Sequence, residues 1–106
     1  MKEAIAILTG GGPAPGMNTV VGSVAKTFLA KGYRVIGLHY GYSGLFNPSP
    51  RYEDLTFTQA DYIFNQGGSY LTMSRFKPTD ADFENNFNLK FFTDNNVKLL
   101  VTVGGD

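Results

Sequence analysis

Two stretches of this chain hold residues whose types and spacing could do chemistry. The first is "LTGGGPAPGMN" at residues 8–18, where three glycines follow an apolar run and two prolines precede a fourth glycine. The second is "LVTVGGD" at 100–106, another apolar run ending in paired glycines and an aspartate. A glycine loop between a strand and a helix lets a ligand approach the backbone and meet free N–H groups at the positive end of the helix dipole. Phosphate is the usual guest of such a site. The prolines would stiffen the loop and lower the entropy lost when it closes on a ligand. Arg75, in "SRF", offers a bidentate fork suited to phosphate. Asp106, at a strand tip, supplies a carboxylate able to hold Mg²⁺, which usually bridges to substrate phosphates. A phosphate cradle, an arginine and a strand-tip aspartate are the parts of a phosphoryl-transfer site. Each part also has a plainer explanation: a tight turn, a solvated arginine, and an N-cap for a following helix.

Two common phosphate motifs fail here. Gly11 and Gly16 have P-loop spacing, but Met17 and Asn18 stand where lysine and Ser/Thr belong. The dinucleotide fingerprint needs a glycine at position 15, where Pro15 stands, and an acidic residue after the second strand, where His39 follows Leu38.

These residues must be positioned by regular elements. The continuous apolar run 4–9 reads as a strand buried on both faces. Val20, Val21, Val24, Phe28 and Leu29 recur at helical spacing within 17–31, and Gly32 is placed to end that helix. Residues 33–38 read as a second strand, completing a βαβ unit. Turn residues fill 39–57, leaving room for a short strand or hairpin. A short helix is expected over 58–66 with Thr58 at its start, and a glycine-led loop over 67–76. Phe83, Phe87, Phe91 and Phe92 predict a helix over 79–96 capped by Thr79, before a last strand at 97–103. This alternation predicts an open α/β sheet with helices on both faces, whose ligands bind at the carboxyl ends of the strands. The glycine-rich loops at 10–16, 67–68 and 104–105 fall at or near such ends.

Composition narrows the function further. The 106 residues suit one small domain, and 42% hydrophobic content supports a core. Lys+Arg and Asp+Glu are both 9, which argues against nonspecific nucleic-acid binding. With no cysteine and one histidine, neither a disulfide framework nor a thiolate or multi-histidine metal site can form. No run is long and apolar enough to span a membrane, and the first residues read as a strand rather than a signal peptide, so a cytoplasmic location is expected. The buried-strand pattern at the C-terminus predicts that these residues are the front piece of a longer chain.

Four ordered motifs together resemble the 6-phosphofructokinases: "LTGGGPAPGMN", "GYSGL" at 41–45, "GGSYLTMSRF" at 67–76 and "VTVGGD". The resemblance implies a Rossmann-like open, mainly parallel sheet with helices on both faces, the N-terminal part of the phosphofructokinase fold. Residues 1–106 would form the N-terminal part of the phosphoryl-donor-binding domain, in a family whose members are roughly three times longer. It implies transfer of a phosphoryl group to the 1-hydroxyl of fructose 6-phosphate, with Mg²⁺, in a protein that is a homo-oligomer at full length. By resemblance, Gly11 and Gly12 meet the donor phosphates through the backbone. Arg75 bridges them, Asp106 positions the metal and the phosphates, Gly104 and Gly105 permit close approach, and Tyr42 lines the donor side.

The departures from the family pattern also carry meaning. ATP-dependent bacterial members usually have aspartate at the position of Pro13, and "GGPAPG" is the form associated with pyrophosphate-dependent members. Pyrophosphate is therefore the favoured donor and ATP the alternative. The arginines that hold an effector nucleotide in regulated bacterial enzymes are matched here by Gly22, Lys26 and Thr56, which implies an enzyme without nucleotide regulation. The position that helps distinguish donors would be 107, and the family's catalytic base and most of its sugar-phosphate site would also lie downstream. The 106 residues alone are expected to be inactive. Two other functions stay open: a non-catalytic phosphate-binding domain, if the chain is complete at 106, and a nicotinamide-binding domain, against which Pro15 and His39 count.

Overall fold

The computed structural model describes residues 2–10, 16–65, 71 and 87–104. Four strands form one sheet: β1 (Ala4–Gly10), β2 (Arg34–Leu38), β3 (Tyr52–Leu55) and β4 (Val97–Gly104). Their order across the sheet is β3-β2-β1-β4. β1 pairs in parallel with β2 and with β4, while β3 runs antiparallel to β2 at one edge. The mainly parallel sheet expected from the sequence is present, and the turn-rich 39–57 segment supplies its short antiparallel edge.

β1 is buried along its whole length because it is central and covered on both faces. Ile7, Val35 and Leu55 face one side, where they pack with Val21 and Ala25 of α1 (Met17–Ala30) and Ala60 and Ile63 of α2 (Phe57–Phe64). Ala4, Ala6, Leu8, Ile36 and Leu38 face the other side, against Leu45 and Phe91. Phe91 belongs to α3 (Leu89–Asp94), so helices lie on both faces. In β4 the alternation is broken once. Ala4 pairs with Val97 but Ile5 with Leu99, so Lys98 is an extra, bulged residue. Val97 and Leu100 therefore both pack on the α3 face, which an unbroken two-residue period forbids.

Helix ends account for most differences from the sequence reading. α1 stops as expected at Gly32 (φ 91): the Gly32 N–H donates to Leu29 O and the Tyr33 N–H to Phe28 O, with the Tyr33 and Phe28 rings edge-on at 5.7 Å. α2 begins one residue earlier than expected. Thr56, not Thr58, is its cap, accepting the Gln59 N–H at 3.2 Å. The helix expected over 79–96 is not continuous. Among the described residues Phe87 and Asn88 are non-helical, and Asn88 (φ −83, ψ 72) accepts the Phe91 N–H at 3.1 Å as the cap of α3. Thr79 and Phe83, and the 67–68 glycines, lie outside the described residues.

Candidate functional site

The site begins where β1 ends. Chain order runs from β1 outward to β2 on one side and later returns to β4 on the other. The gap between β1 and β4 is therefore the switch point of the sheet, where open α/β proteins bind ligands beyond the strand tips. The register there is direct: Thr9 pairs with Val103 and Gly10 with Gly104. The leading residues of the two glycine-rich stretches thus stand side by side, about 4.8 Å apart as neighbouring strands are.

The next helix completes the anion-binding geometry. α1 starts immediately after Gly16 (φ 79), which carries no capping side chain, and its first turn holds no acidic residue. Its first N–H groups and its dipole are unopposed by any carboxylate of its own. Met17 and Asn18 of that turn are buried. Thr9, at the tip of β1, is also fully buried. Among the described residues, no buried side-chain nitrogen or oxygen lacks a hydrogen-bond partner.

The tip of β2 adds a second constrained segment. The chain leaves the sheet through Tyr40 (φ 68, ψ 27) and Gly41 (φ 57), both left-handed, and enters a 3-10 turn over Gly41–Leu45. A left-handed tyrosine costs about 1–2 kcal/mol, so the surroundings must hold it. The His39 N–H donates to Arg51 O at 2.9 Å, the Tyr40 N–H donates to Leu71 O at 3.2 Å, and Ser43 Oγ donates to Tyr40 O at 2.7 Å. His39 Nε2 meets Glu53 Oε2 at 2.9 Å. At the far end of the turn, the Asn88 N–H donates to Leu45 O at 2.8 Å.

Of the residues singled out from sequence, Gly104 closes β4 beside Gly10, and Tyr42 lies in the 3-10 turn after β2. Gly11, Gly12, Arg75, Gly105 and Asp106 lie outside the described residues, as does Pro13. Among the described residues no three His, Asp or Glu side chains gather where they could hold a metal ion. Leu71 and Tyr40 were not foreseen as part of this region. A left-handed tyrosine has no sequence signature, and the tie to Leu71 joins residues far apart in the chain.

The positions matched to effector arginines have structural occupations. A Cβ on Gly22 would lie 2.8 Å from Phe64 Cβ and 2.9 Å from Ala60 O, so α1 and α2 touch there. Thr56 caps α2. Lys26 pairs with Asp61 and lies 5.5 Å from the centre of the Phe64 ring.

Known proteins share this arrangement over nearly the whole chain. The family model described as phosphofructokinase matches residues 4–106. A pyrophosphate–fructose 6-phosphate 1-phosphotransferase of Naegleria fowleri is 39% identical over 103 residues, 96% of this chain and 24% of its own length. An ATP-dependent 6-phosphofructokinase of Tolumonas auensis is 37% identical over 106 residues, 100% of this chain and 32% of its own length. The crystal structure of Pichia pastoris phosphofructokinase in the T-state aligns with a TM-score of 0.79 at 27% identity, covering 96% of this chain and 11% of that one. The chain thus spans 24% to 32% of the length of these two curated relatives. Paired glycine tips at a sheet switch point, an uncapped helix start beside them, and a family match from residue 4 to residue 106 together establish that the chain belongs to the phosphofructokinase family.

Proposed function

We propose that residues 1–106 form the N-terminal part of the phosphoryl-donor-binding domain of a longer 6-phosphofructokinase and hold much of the donor-phosphate half of its site. It would transfer a phosphoryl group to the 1-hydroxyl of fructose 6-phosphate and give fructose 1,6-bisphosphate, a glycolytic step. The observation that carries this reading is the pairing of Gly10 with Gly104 at the switch point, next to the uncapped start of α1.

The chemistry is an in-line displacement. The 1-hydroxyl oxygen bonds to the terminal phosphorus of the donor as the bridging P–O bond breaks. Phosphate leaves if the donor is pyrophosphate, and ADP if it is ATP. A downstream carboxylate takes the hydroxyl proton. This chain contributes positioning and charge neutralisation. Backbone N–H groups at Gly11 and Gly12 and the dipole of α1 would face the donor phosphates, Arg75 would bridge them, and Tyr42 would line the donor side. Gly104 and Gly105 would leave room for close approach. Asp106, two residues beyond the paired tip, would hold Mg²⁺, a cation for which one carboxylate plus phosphate oxygens is a sufficient protein share. When bound, that ion supplies neutralisation of donor charge.

Pyrophosphate is the favoured donor, because Pro13, an uncharged residue with a ring-locked φ, stands where ATP-dependent bacterial members usually have aspartate. Relatives of both kinds resemble the chain. We place the enzyme in the cytoplasm as a homo-oligomer; no helix among the described residues is long and apolar enough to cross a membrane.

The test is an assay of the full polypeptide with fructose 6-phosphate, Mg²⁺ and each donor in turn. Fructose 1,6-bisphosphate formed from pyrophosphate with a kcat/KM at least ~10-fold above that from ATP, about 1.4 kcal/mol of discrimination, supports the whole reading. The reverse preference reassigns the donor to ATP. Absence of product with both donors, from folded protein, removes the kinase reading and leaves a phosphate-binding domain.

A further inference from the structure

Gly37 lies in β2, opposite Glu53 of β3 and in register with Ile7 of β1. It is a strand glycine with a specific occupant. A Cβ built on it would come within 2.7 Å of Leu71 Cδ2 and 3.5 Å of Leu55 Cδ1. The space over Gly37 is therefore the seat of the Leu71 side chain, which is fully buried among Ile7, Val35, Leu55 and Ile63. The same residue turns its carbonyl to the tip of β2, where it accepts the N–H of left-handed Tyr40. One buried leucine is thus fixed by its side chain to the sheet and by its backbone to the corner that starts the 3-10 turn.

Two proposed donor-side residues are chained closely to this anchor. Tyr42 follows Tyr40 by two residues, and Arg75 follows Leu71 by four. Four residues of extended chain span at most roughly 14 Å. Ile7, level with Gly37, is three residues below Gly10, about 10 Å along the strand. The seat of Leu71 thus fixes the point from which the chain toward Arg75 starts, at the level of Ile7 and Gly37.

We propose that Leu71, seated over Gly37, is a positioning residue that holds the left-handed corner from which the Tyr42 turn starts and fixes the origin of the chain leading to Arg75, and so controls engagement of the phosphoryl donor. This inference rests on the reading of Arg75 and Tyr42 given above. Leu71 acts through those residues and touches no reacting atom.

The experiment compares wild type, Gly37→Ala, Leu71→Val and the double variant in the full polypeptide. It records kcat, KM for the donor, KM for fructose 6-phosphate, and thermal unfolding. A methyl on Gly37 would meet Leu71 Cδ2 at 2.7 Å, so the end of that side chain must shift within its packed cluster, whereas valine at 71 gives back the volume that alanine at 37 takes. Gly37→Ala is expected to lower kcat/KM for the donor by ~10–100-fold, as displacements near 1 Å do, with KM for fructose 6-phosphate within about twofold. The double variant is expected to recover most of the loss. Unchanged donor kinetics in folded Gly37→Ala would falsify the inference, as would equal changes in both KM values without recovery in the double variant. If Gly37→Ala does not fold, Leu71→Val decides: a raised donor KM supports the inference, and wild-type kinetics overturn it. A wild-type protein that makes no product from either donor removes the functional reading and this inference together. An active wild type with indifferent variants removes the inference alone.

Discussion

Arg75 is the residue on which the proposed chemistry depends most. A guanidinium that bridges donor phosphates gains strength as charge develops on the transferring group, so its loss should appear in kcat more than in binding. Arg75→Ala is expected to lower kcat by at least ~100-fold, equivalent to about 2.7 kcal/mol, in a steady-state assay of the full polypeptide. An unchanged kcat would take Arg75 out of the site. His39 offers a contrasting case, because its bond is structural. Its Nε2 lies 2.9 Å from Glu53 Oε2 in a partly buried pair joining the β2 tip to β3. His39→Ala is expected to cost roughly 1 kcal/mol of stability, while His39→Gln, whose amide can still donate to the carboxylate, should cost less. Urea denaturation measures both, and equal losses would show that the pair contributes nothing.

At the level of elements, caps and one helix contact decide most of the local architecture. Asn88 caps α3 through its side-chain oxygen, and its amide nitrogen donates to Asn47 O at 2.7 Å. Asn88→Ala removes both bonds, and a loss of about 1–2 kcal/mol is expected in chemical denaturation. A change below a few tenths would mean that α3 is held by the Phe91 contacts alone. The α1–α2 contact is tighter. Gly22→Ala would force a methyl against Phe64 Cβ and a backbone carbonyl, neither of which can swing away. A loss of about 1–3 kcal/mol is expected. A neutral outcome would show that the two helices separate at little cost. These details also measure what was legible in the sequence. Helical spacing and Gly32 located α1 and its end, because both are local signals. Thr56 and Asn88 were misread, since several adjacent residues could cap equally well and tertiary contacts choose among them.

The whole molecule sets the regulatory expectation. The positions that carry effector-binding arginines in regulated bacterial relatives are used here for packing at Gly22, a cap at Thr56 and an ion pair at Lys26. An arginine-lined anion site has no room at Gly22 and one cation already paired with Asp61. Activity of the full polypeptide against fructose 6-phosphate is therefore expected to be insensitive to added nucleoside diphosphate. A shift of the saturation curve by more than about threefold, roughly 0.6 kcal/mol of coupling, would overturn that expectation.

The sequence by itself determined the parts: a buried strand before a glycine-rich stretch, an amphipathic helix, a second strand, and a final strand that reaches Gly104. Each is written in residues close together, because backbone freedom, helical period and apolar runs are local properties. The four motifs, read together, also determined the family. Only the tertiary structure decided that Gly10 and Gly104 are neighbours, that Lys98 is bulged out of β4, and that Leu71 sits over Gly37 beneath a left-handed Tyr40. Those facts depend on strand order, register and side-chain volume across segments far apart in the chain. No local preference encodes them; they follow when the sheet pairs and both of its faces are packed at once.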